Sequence, residues 1–174
     1  GTREKEGQVL RFTIATTDWP EYVTTARLLA EQWRSLGADV SVQPATVGTM
    51  QADILRPRNY EALLYGEVLG ADPDPYPFWH STQTRDPGLN LALFKDRDSD
   101  QLLEEARKTT DQEKRGGLYR KFQERVIEQV PAIFLYSPTY AYALPKKLRG
   151  TFVDWAPLPS DRFRVSSGRG DPFR

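Results

Sequence analysis

The sequence predicts an α/β fold: a mixed sheet of about five strands with helices packed on it. Three observations point there. Residues 9–45 run from a β-rich segment through an amphipathic one to a second β-rich segment, the order of a βαβ unit. YEALLYGEVLG, residues 60–70, is nearly continuous apolar sequence, as expected of a strand covered on both faces. Two helical patterns then occupy residues 98–109 and 112–130.

In order, VLRFTIATT at residues 9–17 alternates apolar and polar side chains and reads as a strand. DWPE follows, with Asp18 placed as N-cap, proline in the first turn and Glu21 three residues after the cap. The helix has an apolar stripe of Val23, Ala26, Leu29, Ala30, Trp33 and Leu36, and Gly37 stops it. ADVSVQPA, residues 38–45, is the second strand, with Val40 and Val42 on one face. A short helix is expected over residues 48–55, then the strand centred on residues 62–65. In the last helix Thr110 and Glu113 form a capping-box pattern, and the stripe is Leu118, Tyr119, Phe122, Val126 and Val130. Gly116 and Gly117 weaken its first turns. AIFLYS and TYAYALP read as strands parted by Ser137 and Pro138. Residues 151–174 show little apolar periodicity and are expected to be an irregular tail.

Composition narrows the function. The chain has 174 residues, enough for one domain with a core. Its 24 basic and 24 acidic side chains balance, against the basic excess of a nucleic-acid binder. No cysteine is present, which removes disulfides, thiolate metal sites and cysteine nucleophiles. With one histidine, any Ser-His-Asp triad must run through His80. The opening GTREKEGQVL lacks the apolar run of a signal peptide, as expected of a processed or cut chain.

The most unusual stretch is GADPDPYPFWHSTQ, residues 70–83, where acids, prolines and large rings leave the end of a strand. Proline fixes φ and removes donors, so the loop can neither extend the strand nor open a helix there. It serves either as a plug at the end of the core or as a rigid wall presenting carboxylates, and the two uses are compatible. A buried carboxylate in such a wall needs a cation or donors, which a ligand ammonium would supply. His80 with Asp72 and Asp74 could form a metal or acid–base cluster. The blander reading, a histidine satisfied at the edge of an aromatic cluster, is favoured, because the chain has no second histidine. Asp96, Asp98 and Asp100 match the opening of a calcium loop, but that loop needs glycine and glutamate where Gln101 and Arg107 stand. An acidic helix N-terminus is expected instead.

The run from LRFTIATTDWPEYVTT to the helix ending LGADV, then the strand leading into GADPDP, then VPAIFLY, resembles the C-terminal lobe of family 5 extracellular solute-binding proteins. These are the oligopeptide and dipeptide receptors of ABC importers, and the resemblance covers roughly residues 8–150. It implies one lobe of a two-lobed, type II periplasmic-binding-protein-like receptor, with residues 1–150 as the lobe and residues 151–174 returning toward a missing first lobe. It further implies a non-enzymatic protein working outside the cytoplasm, with no cofactor and no metal. Its partners would be a small solute such as a peptide, a membrane permease and its own first lobe.

Asp72 falls where the family's peptide binders set an aspartate against the ligand amino group. Tyr76, Phe78 and Trp79 are candidates for the pocket wall or its support. Glu67 and Leu69 stand in the stretch where family members often carry a tryptophan. Rival readings from other classes are a small hydrolase using Asp72, Asp74 and His80, and a plain interaction domain.

Overall fold

A computed structural model describes residues 3–68 and 74–138. The chain divides into two compact units, residues 1–68 with 74–132, and residues 69–73 with 133–174. The first holds every regular element that follows. The described part of the second, residues 133–138, carries no regular secondary structure.

Two short strands, β1 (Glu4–Lys5) and β2 (Gln8–Val9), pair antiparallel through a two-residue turn. Glu6 and Gly7 both have positive φ there, 54° and 77°, as such a turn requires. Among the described residues the main sheet has three strands, β3 (Arg11–Thr17), β4 (Asp39–Ala45) and β5 (Ala62–Leu64), all parallel in the order β4-β3-β5. Ile14 sits opposite Val42 on one side and Ala62 on the other.

Helix α1 (Pro20–Ser35) links β3 to β4 and covers one face of the sheet. Its Ala26 and Ala30 are fully buried and let the helix approach Ile14 and Val40, with Leu29 and Trp33 closing over them. Phe12 meets Trp33 edge to face at 5.0 Å. Gly37, at φ 92°, donates to the Arg34 carbonyl at 2.9 Å, and Ala38 donates to that of Trp33 at 3.1 Å. That pair of hydrogen bonds is a Schellman stop, whose left-handed position a residue with a Cβ adopts only under strain. The other face of the sheet is covered by α2 (Val47–Thr49), which continues as a π-helical turn over Met50–Leu55. Met50, Ile54 and Leu55 pack there on Ala15 and Ala45.

A second layer contains α3 (Tyr76–Trp79), α4 (Arg97–Lys108) and α5 (Gln112–Gln129). Phe94, Leu103, Phe122 and Val126 form its core. Burying each such side chain contributes about 1.5–3 kcal/mol relative to exposure. Asp96 caps α4 by accepting from the Ser99 amide at 3.0 Å, so the acidic DRDSD segment is a helix start. The same carboxylate takes two bonds from Arg125 on α5, 2.7 and 2.8 Å, which ties the two helices together.

Several local expectations are corrected. Asp18 is not the cap of α1: its amide donates to the Ala45 carbonyl at 2.9 Å, extending the sheet, and Trp19 flanks the helix with no side-chain cap. Leu36 leaves the apolar stripe as the exposed C-terminal flank. Asp111, not Thr110, caps α5, accepting from the amides of Glu113 and Lys114. Val130 turns left-handed, φ 49° and ψ 48°, and points its side chain largely to solvent.

Ala62 and Leu64 pack on one face of the sheet and Leu63 and Tyr65 on the other, so both faces of β5 are used. These residues are nevertheless half-buried, because β5 is an edge strand among the described residues. AIFLYS, residues 132–137, is not a strand. TYAYALP and the tail from residue 151 lie outside the described residues, and the described sheet has three strands where about five are expected.

Candidate functional site at the carboxyl ends of the sheet

The order β4-β3-β5 places the first strand of the sheet in the middle, with the second and third on opposite sides. Connections therefore leave β3 and β4 in opposite directions, and since ligands of open α/β sheets bind outside the carboxyl ends of the strands, the ends of β3 and β5 are the candidate site. The residues found there come from the β3–α1 junction and the exit of β5.

Thr16 and Thr17 end β3, both buried. Thr16 Oγ1 donates to the Leu64 carbonyl at 3.0 Å and seals β3 to β5. Thr17 Oγ1 is buried with no hydrogen-bond partner among the described residues. A buried hydroxyl without a partner carries an energetic penalty that a polar ligand atom or water would relieve. Trp19, 55% exposed, stacks on Tyr22 with ring centroids 5.7 Å apart and planes 8° from parallel. Gly66, just past β5, lies so close to Tyr22 that a Cβ built on it would stand 2.4 Å from the hydroxyl. The exit of β5 is thus held against the first turn of α1.

Glu67 follows, and burial of its carboxyl pushes it from 4.5 up to about 7, although the residue as a whole keeps more than a third of its surface in solvent. A polar side chain, an aromatic pair with Trp19 exposed and Tyr22 half-buried, and an acid with a raised pKa make a surface suited to a polar solute with apolar parts.

Of the residues singled out in the sequence, Asp72 lies outside the described residues. Tyr76, Phe78 and Trp79 form α3. Trp79 stands edge to face with Phe94 and Phe122, each at 6.2 Å, and helps fill the helical core. Tyr76 stacks on His80 at 4.1 Å, and the Arg107 guanidinium lies 4.2 Å from the Tyr76 ring centre. Phe78 is half-buried. Asp74 accepts from the Tyr76 amide at 3.1 Å and pairs with Arg107 at 3.0 Å, which makes it a cap for the loop.

His80 is 4% exposed. Its Nδ1 is 2.8 Å from Thr82 Oγ1, while Nε2 has no hydrogen-bond partner and faces Glu104 at 3.5 Å and Asp100 at 3.8 Å. The expected satisfied histidine is satisfied at one nitrogen only. The acids beside it are those of α4, and no group of residues suited to a metal ion occurs among the described residues.

Sequence reasoning missed Thr17, Trp19, Tyr22 and Gly66. Only the strand order marks their junction as the candidate site, although TTDWPEY does show threonines and rings at the end of a strand.

The class follows from this arrangement. The chain has the α/β fold of a lobe of type II periplasmic binding proteins. It is 27% identical over 152 residues to the oligopeptide-binding protein AppA of Bacillus subtilis, covering 86% of this chain and 28% of AppA. The structure of AppA in complex with a nonapeptide matches 75% of this chain and 26% of that one, with a TM-score of 0.70 and 25% identity.

The chain is 30% identical over 161 residues to the probable D,D-dipeptide-binding periplasmic protein DdpA of Escherichia coli, covering 91% of this chain and 30% of DdpA. NikZ from Campylobacter jejuni, in complex with Ni(L-His), matches 75% of this chain and 27% of that one, with a TM-score of 0.65 and 26% identity. No family model matches. The chain's homologues are thus oligopeptide- and dipeptide-binding proteins, and its structural neighbours are family 5 solute-binding proteins. The chain spans less than a third of the length of the curated relatives it matches. Among the described residues no helix is long and apolar enough to cross a membrane.

Proposed function

We propose that the chain is a ligand-binding lobe of an extracytoplasmic receptor that delivers a peptide or similar small solute to an ABC importer, without catalysis. The observation that carries this reading is the similarity of a chain with the parallel β4-β3-β5 sheet to oligopeptide- and dipeptide-binding proteins, with the candidate site taken at the carboxyl ends of β3 and β5. Residues 1–150 form the lobe, and residues 151–174 return toward a first lobe that precedes it. Asp72, on the loop after β5, anchors a ligand amine. Tyr76, Phe78 and Trp79 are proposed for the pocket wall or its support, and Tyr76 and Trp79 pack on the α4–α5 core. Thr17, Trp19 and Tyr22 add a polar atom and an aromatic shelf to the candidate site.

A cleft between two lobes buries most of a ligand, so one wall alone keeps part of its contacts. Calorimetry of this chain with a mixed dipeptide and oligopeptide library is the test. Binding no tighter than roughly millimolar, about 4 kcal/mol, is expected. Micromolar binding by the chain alone would count against a divided cleft.

A further inference from the structure

At the first turn of α1 one large ring is left open to solvent. Trp19 is 55% exposed, and Tyr22 backs it with ring centroids 5.7 Å apart and planes 8° from parallel. Among the described residues Trp19 meets no other ring and no cation. Its backing is fixed at the end of β5, since a Cβ on Gly66 would stand 2.4 Å from the Tyr22 hydroxyl.

The charge at this shelf is one-sided. Asp18 and Glu21 flank Trp19 in sequence, and Glu67 follows Gly66. Residues 12–26 and 59–84, which supply both sides of the junction, contain no lysine and no arginine. Among the described residues, none of Asp18, Glu21 and Glu67 has an ion-pair partner. The arginines that border these segments are engaged elsewhere. Arg11 stands at the opposite end of β3 and pairs with Asp39 at 2.7 Å. Arg58 donates to the carbonyls of Leu55, Thr84 and Gly88. Burial pushes the Glu67 carboxyl up to about 7, as expected of an acid with no cation beside it.

We propose that the Trp19 shelf is a subsite for a cationic side chain of the ligand, with the unpaired acids of the junction as its counter-charges. An indole face attracts cations more strongly than other aromatic rings do, and a planar guanidinium also stacks on it. An exposed ring alone would accept any planar or apolar group. Three acids without a counter-ion select a positive one. The subsite rests on the reading of this chain as a solute-binding lobe, and it narrows the ligand to a solute, such as a peptide, that carries arginine or lysine. It is distinct from the proposed Asp72 anchor, which takes the terminal amine.

The probes are a glycyl-arginyl-glycine tripeptide and its citrulline isostere, which differ in side-chain charge and hardly in shape. Each is titrated at low salt into the 15N-labelled chain, with the indole N–H signals as readout. Of the four tryptophans, Trp19 is identified by the signal lost in Trp19→Leu. The arginyl peptide should move that signal and bind roughly two- to fivefold tighter than the citrulline one. Added salt should narrow the gap. Trp19→Leu keeps apolar bulk at an exposed position and should abolish the preference. Equal affinity for the two peptides would overturn the cationic subsite while leaving the solute-binding reading in place, and it needs no variant to fold. A preference that survives Trp19→Leu would overturn it too, as would an arginyl peptide that leaves the Trp19 signal unmoved.

Discussion

Asn90 Nδ2 donates to the main-chain carbonyl of Trp79 at 3.1 Å, across eleven residues of chain. The same carboxamide donates to the carbonyls of His80 and Phe94, at 3.1 and 2.9 Å, and its oxygen accepts from the Phe94 amide at 3.1 Å. Asn90 is wholly buried, so water does not replace these bonds. One side chain thus fixes both ends of the loop that presents α3 to the helical core. Asn90→Ala should destabilise the chain by about 3 kcal/mol or more, because each stranded buried group costs about 1–3. Urea denaturation measures it, and a loss below about 1 kcal/mol would mean that water enters the network.

The glycines make a contrasting pair of predictions. A Cβ on Gly88 would stand 2.3 Å from the Gln83 carbonyl oxygen and 2.6 Å from its Cα, both backbone atoms that cannot move aside cheaply. Gly88 also accepts from Arg58 at 2.5 Å, and Arg58 binds the carbonyls of Leu55 and Thr84 as well. Gly88→Ala should therefore cost about 1–3 kcal/mol. Gly116 and Gly117 lie inside α5 with nothing within 4 Å of an added Cβ. Replacing each with alanine should stabilise by about 0.5–1 kcal/mol, since glycine loses more backbone freedom in a helix. Thermal melts of the three variants check both signs.

Local signals carried the elements that rest on local causes. The β-rich run of residues 9–17, the stripe Ala26–Ala30 and the stop at Gly37 each depend on neighbours in sequence; the last two are found where expected, while the run is divided at Leu10 into the end of β2 and β3 (Arg11–Thr17), whose residues 14–17 are all buried. Asp18 and Thr110 are equally plausible caps by composition, yet a tertiary bond decides the first, as Asp18 joins Ala45, and a local one the second, as the neighbouring Asp111 takes two free amides of α5. The site was legible only at the level of its loop. Strand order is a long-range property, so nothing in TTDWPEY alone sets Tyr22 beside Gly66. Tyr76 and Trp79 likewise read as wall or as core until Phe94 and Phe122, distant in sequence, are seen against them.

Two carboxylates should shape the acid side of the stability curve in opposite directions. Hydrogen bonds from Arg125 hold Asp96 well below its ordinary 3.8, with Ser99 adding to them against the opposing effect of burial. The folded state thus binds fewer protons at this site than the unfolded state. Its contribution is complete above pH 3.8 and is lost as pH falls toward the folded value. Glu67 behaves inversely. Its raised value means that stability declines as pH rises from 4.5 to about 7, with a shallow slope because the residue meets solvent. Urea midpoints across pH should show Glu67→Gln flattening the upper window and Asp96→Asn flattening the acid limb. Asp96→Ala, which also removes the α4 cap, should cost about 1–2 kcal/mol at neutral pH.

The loop after β5 decides the ligand question. If it presents a carboxylate, Asp72→Asn in the complete receptor should keep the fold, because amide and carboxylate are nearly isosteric. Binding of an amine-bearing peptide should weaken by about 2–5 kcal/mol, the loss typical when one member of a desolvated charge pair is removed. Asp74→Asn should matter less to the ligand, since Asp74 is committed to Arg107 and the Tyr76 amide. An N-acetylated peptide should bind the unaltered receptor more weakly, and Asp72→Asn should then cost it little more. That non-additivity marks a direct pair. Equal and additive losses from acetylation and substitution would mean that Asp72 and the amine never meet, and the loop would then serve only to close the end of the core.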